Sequence, residues 1–144
     1  MNSIPASLLI PNLIAICAVI CCWKWPIFGR SFYFLLFSGA SIANGYTSIF
    51  KPQGYLSFAK TTFSQVYKDF ITGVFSEHIT PIVLSIAICQ FLIALSMLFK
   101  GNVLKLGAAG GIIFLISIAP LGIGSAFPFT IILALGLYLM SFRT

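Results

Sequence analysis

Asn44, Gln90 and His78 are the side chains of this sequence with the most to offer chemically. Asn44 and Gln90 stand deep in apolar runs, where a buried amide is costly unless paired. Each must therefore bond another helix or line a cavity. His78, the sole histidine, sits beside Glu77 and just before Thr80-Pro81. As part of a polar helix start it needs no further role, since Glu77 would lie near the positive end of the helix. The alternative is a contact to a headgroup, a quinone or a proton at a membrane surface. These three residues form the candidate ligand-binding set, and a lone histidine excludes a bis-histidine haem within one chain.

The four cysteines, Cys17, Cys21, Cys22 and Cys89, form no C-x-x-C motif and no zinc pattern with histidine. They read as small buried hydrophobes. No nucleophile–base pair or phosphate loop is present, so no catalytic residue and no metal site is assigned, and the cofactor is unknown. Gly107 and Gly111 form a G-x-x-x-G pair, and Gly39 with Ala43 repeats the small-residue spacing. Both pairs predict close helix packing, within the chain or between protomers. Ser38, Ser41, Ser85, Ser96 and Ser117 can bond carbonyls of their own helices.

These residues must be positioned by elements suited to an extreme composition. Of 144 residues, 60% are hydrophobic and only 7% charged, against roughly 25% charged in an ordinary soluble domain. Ten charged side chains give a net +6. This composition excludes a soluble enzyme, a nucleic-acid-binding domain and a disordered tail, and makes lipid the expected solvent. Uncharged runs at 1–23, 31–50 and 78–99 each suit one crossing, since about 20 apolar residues span a hydrocarbon core. The run 106–142 is too long for one helix and is broken at Pro120-Leu121-Gly122-Ile123-Gly124-Ser125-Ala126-Phe127-Pro128. It divides into spans at about 103–120 and 127–142, giving five helices in all, with four as the alternative.

The first run lacks a positive n-region and is read as an anchor helix from about Ser7 to Trp23, not a cleaved signal. Lysine and arginine counts favour N-out and C-in. Lys24, Arg30, Lys100, Lys105 and Arg143 then lie inside, and Lys51, Lys60 and Lys68 outside. The polar stretch 51–77 places Phe63, Tyr67, Phe70 and Val74 at helical spacing. It predicts an amphipathic helix in the interfacial plane, either a connector or a lid over a cavity between the helices. No carboxylate falls within a span, so a proton-driven transporter has no obvious coupling site.

Several short motifs carry a family likeness. Gly29-Arg30 opens a helix that runs through Phe37-Ser38-Gly39 and Asn44-Gly45-Tyr46 to Phe50-Lys51-Pro52-Gln53-Gly54-Tyr55 and Phe58-Ala59. After His78 come Met97-Leu98-Phe99-Lys100-Gly101 and Leu104-Lys105-Leu106-Gly107-Ala108. The stretch 29–143 resembles the DoxX-like family of small bacterial membrane proteins. The resemblance implies an all-α membrane protein with a DoxX-like four-helix transmembrane bundle at 26–144, including an amphipathic interfacial segment at about 55–76. An extra N-terminal transmembrane helix at 1–25 lies outside the usual core. Some members of the family are associated with quinone-linked sulfur oxidation or redox partner complexes, and no agreed catalytic motif exists to transfer.

The expected role is an accessory or anchoring subunit of an inner-membrane complex. A quinone-linked oxidoreductase subunit is the alternative, with a quinone held by Asn44, His78 or Gln90 beneath aromatic residues of the 55–75 helix. A transporter of a small lipophilic solute comes third. The partners expected are membrane lipid, a redox or assembly protein, a second copy of the chain, or a quinone, and not nucleic acid.

Overall fold

The structure is a computed structural model describing residues 5–122 and 127–142. Among these residues the chain is all-helical. Two long helices come first, α1 (Ala6–Lys24) and α2 (Pro26–Phe50). Residues 52–77 then form a strap of short pieces: a 3-10 turn (Pro52–Ser57), α3 (Phe58–Thr61), α4 (Gln65–Phe70) and a π turn (Ile71–Phe75). Three more helices complete the order, α5 (Ile79–Ser96), α6 (Asn102–Ile118) and α7 (Phe129–Phe142).

By length and composition, Ile79–Ser96 and Asn102–Leu121 are apolar enough to cross a membrane. Helix α2 has the length, at 25 residues, but a more polar sequence. Leu8–Lys24 and Phe129–Phe142 are shorter apolar helices. The turn expected between the last two helices falls partly at 123–126, outside the described residues.

Helix α2 begins five residues earlier than the charge-free run suggests, because Pro26 occupies its first position. Proline there has no N–H to waste and a φ already suited to a helix. Arg30 is thereby carried inside the helix. Only Trp25, at φ −134° and ψ 83°, separates α1 from α2. The hairpin closes where Gly29 meets Cys22: a Cβ on Gly29 would lie 2.7 Å from the Cys22 sulfur.

The five long helices pack as a closed ring in the order α1, α2, α5, α6, α7 and back to α1. Tyr33, Phe37, Met97, Leu137 and Met140 fill its centre. The fully buried Tyr33 hydroxyl donates to the Leu133 carbonyl at 2.6 Å, tying α2 to α7 across the ring. A hydroxyl in so apolar a core needs such a partner.

The α2–α5 contact is the most extensive, and polar groups run along it. Arg30 Nε donates to the Met97 carbonyl at 2.9 Å and Nη2 to that of Phe99 at 2.7 Å. Further along, Ser41 Oγ donates to the Ala87 carbonyl at 2.7 Å, and Thr80 Oγ1 to the Ser48 carbonyl at 2.7 Å. Ser41 thus reaches across to its neighbour, whereas Ser85, Ser96 and Ser117 bond carbonyls of their own helices.

Helices α5 and α6 turn back on each other at Gly101, whose φ of +67° suits a residue without Cβ. Beyond the turn Gly107 lies against Ser96, so closely that a Cβ would collide with the serine side chain. A Cβ on Gly111 would stand 2.7 Å from Leu137 and 3.2 Å from Phe37. Gly39 and Ala43 instead face outward, and Gly39 has open space around it. Gly107→Val and Gly111→Leu are therefore expected to destabilise the fold by about 1–3 kcal/mol, the usual cost of overpacking. Gly39→Leu should not. Thermal unfolding followed by helical circular dichroism tests the contrast, and equal effects at all three positions would refute it.

Candidate functional site

The close approach of α6 to α5 at Gly107 and Ser96 lies in one half of the α5–α6 pair. In the other half, Ile82, Val83 and Ile86 of α5 stand apart from Phe114, Ser117 and Ile118 of α6, leaving a cavity of about 290 Å³. The strap roofs it with Tyr55, Phe58, Tyr67, Phe70, Ile71 and Phe75.

The strap is held there for a physical reason. The final carbonyls of a helix lack intrahelical partners, and side chains of the strap supply them at the end of α6. Tyr67 OH donates to the Ser117 carbonyl at 2.7 Å, Thr62 Oγ1 to that of Pro120 at 2.5 Å and Thr61 Oγ1 to that of Leu121 at 2.7 Å. Beneath these bonds Ile71 and Phe75 are buried with Ile79 and Val83 in a second apolar cluster.

This arrangement differs from the single amphipathic helix expected over 55–76. Thr62 is extended (ψ 138°) and ends α3, and Ser64 starts α4 afresh by accepting from the Tyr67 N–H. The wider π turn at 71–75, bent at Gly73, then rotates the following residues. Ile71 and Phe75, at the two ends of this turn, are buried, while Phe63, Phe70 and Val74, three members of the expected stripe, are 58%, 47% and 61% exposed.

Among the described residues Asn44 is the one amide in this lining, beside the hydroxyls of Tyr55, Tyr67 and Ser117. Its Nδ2 donates to Gln90 Oε1 at 2.9 Å, and its Oδ1 accepts from Tyr55 OH at 2.8 Å. Burial raises the Tyr55 phenol above its ordinary pKa, the Thr47 hydroxyl partly offsetting this, so it remains a donor. The Tyr55–Asn44–Gln90 chain holds the amide in one orientation. It leaves one Asn44 N–H without a partner among the described residues. Such a site can take an apolar ring bearing one hydrogen-bond acceptor.

Of the three residues singled out by sequence, two come together. Gln90 is fully buried behind Asn44 and orients it without lining the cavity. His78 lies apart: it is exposed, precedes α5 and makes no side-chain capping bond. Tyr55 escaped sequence reasoning because a tyrosine in a Gly-Tyr turn looks like any other interfacial aromatic. Among the cysteines only Cys22 is buried, whereas Cys17 and Cys89 face outward. Among the described residues no group of three His, Cys, Asp or Glu side chains could hold a metal ion.

No family model, curated protein or solved structure matches this chain. The DoxX-like resemblance gains no support from these comparisons.

The Asn44–Gln90 pair should behave as one unit. In a double-mutant cycle, Asn44→Ala and Gln90→Ala are expected to couple by about 0.5–1.5 kcal/mol, the range of interhelical polar pairs. Unfolding free energies of the two single variants and the double variant measure this, and strictly additive losses would contradict the pairing.

Proposed function

We propose that the chain is a multi-pass membrane protein that holds a small lipophilic ligand of the quinone class in the cavity beneath the strap. It would serve as a quinone-linked subunit of a membrane complex. The observation that carries this reading is the cavity itself: aromatic and aliphatic walls with one amide donor set among them. Small-molecule sites are mostly apolar with a few placed polar groups, and about 290 Å³ lies near the lower end of their ~300–1,000 Å³ range. That volume suits a ring headgroup whose tail leaves between the helices into lipid. One quinone carbonyl would accept from Asn44, and His78 takes no part.

The membrane setting is supported by the outer surface. Ile42 on α2 and Leu106 and Ile113 on α6 are 67–77% exposed, as residues that meet lipid would be. Arg30 bonds bring the α1–α2 and α5–α6 turns to one end of the ring. Lys24, Arg30, Lys100 and Lys105 thus share that end, opposite the strap with Lys51, Lys60 and Lys68. By the positive-inside rule, we place the strap on the outer side of an inner membrane, N-out and C-in. A DoxX-like bundle rests on the sequence likeness alone, and α1 would join it as a full member of the ring, packed on α7 and α2.

A second reading, an accessory or anchoring subunit with no ligand, is favoured by the outward face of α2. There Gly39 and Ala43 lie between the exposed Leu35, Ile42 and Tyr46, a surface on which another helix could pack closely.

Gentle extraction from the native membrane followed by mass spectrometry separates the two. The first reading expects a co-purifying quinone, about tenfold depleted in Asn44→Leu, the loss of a hydrogen bond worth ~1.4 kcal/mol. Depletion is also expected in Ser117→Phe, which fills the cavity, and not in His78→Ala. A stoichiometric protein partner with no bound lipophile, lost in Gly39→Leu, would favour the second.

A further inference from the structure

At the end of the ring opposite the strap, a second hollow of about 390 Å³ opens between the start of α2 and the end of α5. Arg30 forms its polar centre, and Ile27, Phe34, Leu35 and Leu98 form its walls. The guanidinium is half-buried, and its hydrogen bonds go to two backbone carbonyls, those of Met97 and Phe99. These use Nε and Nη2, so both N–H groups of Nη1 are left over among the described residues. The positive charge is met only by the weak negative end of α5. Both carboxylates of the chain, Asp69 and Glu77, belong to the strap at the far end.

Among the described residues the charge is therefore uncompensated, and Lys24, Lys100 and Lys105 add to it. The surrounding walls are strongly apolar: Ile27, Leu35 and Leu98 are 68%, 69% and 61% exposed. A free phosphate would satisfy the arginine and leave those walls bare. An amphipathic anion satisfies both.

We propose that this hollow is a binding site for an anionic phospholipid. The phosphate would sit on the free edge of Arg30, with an acyl chain along Ile27, Leu35 and Leu98. Arg30 would act as a clasp, joining the α5 terminus on one edge and a headgroup on the other. The fork geometry of arginine suits this double use in a way that lysine does not. The site is separate from the cavity under the strap and rests only on the membrane setting proposed above.

The chain carries its own probe. Its two tryptophans, Trp23 at the end of α1 and Trp25 in the α1–α2 turn, lie at the same end of the ring as Arg30 and are each 53% exposed. The protein is reconstituted in vesicles of equal parts phosphatidylcholine and phosphatidylglycerol, with bromine on the chains of one lipid or the other. The quenching of tryptophan fluorescence then reports which lipid is adjacent. About fivefold enrichment of phosphatidylglycerol is expected, the effect of one basic residue at an anionic surface.

Arg30→Gln should abolish the enrichment. Because that change also removes two bonds to α5, Ile27→Glu is the second variant. It adds a carboxylate at an exposed position in the first turn of α2, where a negative charge is tolerated, and should likewise abolish enrichment. Equal quenching by the two lipids in the unaltered protein would overturn the site, as would enrichment that survives both substitutions. Quenching by neither lipid would instead overturn the membrane setting on which the site rests.

Discussion

The seam between α2 and α5 is the constraint on which the rest of the structure depends. Residues 30, 41, 44 and 48 of α2 recur at helical spacing and so share one face. Each supplies a polar group to α5 or accepts one from it. In an apolar interface any sliding of the two helices would leave several such groups unpaired at once, at a cost of about 1–3 kcal/mol each. Hydrophobic contact alone would permit many registers; this row of bonds permits one. With α2 and α5 locked antiparallel, the strap must span one end, and the turn at Gly101 must return α6 along the other side.

The register also explains why a cavity exists where it does. Close packing of α5 on α6 relies on Gly107 against Ser96, near the Gly101 turn, while Gly111 admits Leu137 and Phe37. Beyond the Gly107 contact the large side chains Ile82 and Ile86 of α5 and Phe114 and Ile118 of α6 line the cavity. The strap roofs this space. Its hydroxyls bond the carbonyls at the end of α6, and its rings turn toward the gap. Asn44 sits at the junction because the same α2 face that bonds α5 continues beneath the strap. One amide therefore serves packing through Gln90 and faces the cavity at once.

Charge is divided between the two ends with the same economy. The strap holds both carboxylates among its lysines, so its cations have local counter-charges. Among the described residues the opposite end has cations alone, and Arg30 is the one that bonds across to α5. A guanidinium can satisfy two carbonyls and still present a free edge, so the α2–α5 seam can end in a charged residue without burying an unpaired charge.

The sequence by itself determined that the chain is helical and where most long helices lie, because apolar runs and their breaks follow directly from the cost of leaving backbone groups unpaired away from water. It also marked Asn44 and Gln90, since amides in apolar runs are expensive enough to demand partners, and Gly107 with Gly111, whose missing side chains matter wherever another helix approaches. Only the tertiary structure decided that Asn44 and Gln90 pair with each other, that Tyr55 completes the chain, and that His78 stands aside. Periodicity reports which residues share a face of one helix and is silent on which helix comes to meet that face. The strap shows the same limit: the stripe Phe63, Tyr67, Phe70 and Val74 presumes unbroken helical geometry. The break at Thr62 and the π turn at Gly73 arise because the strap must reach the carbonyls of α6, a demand set by a distant part of the chain.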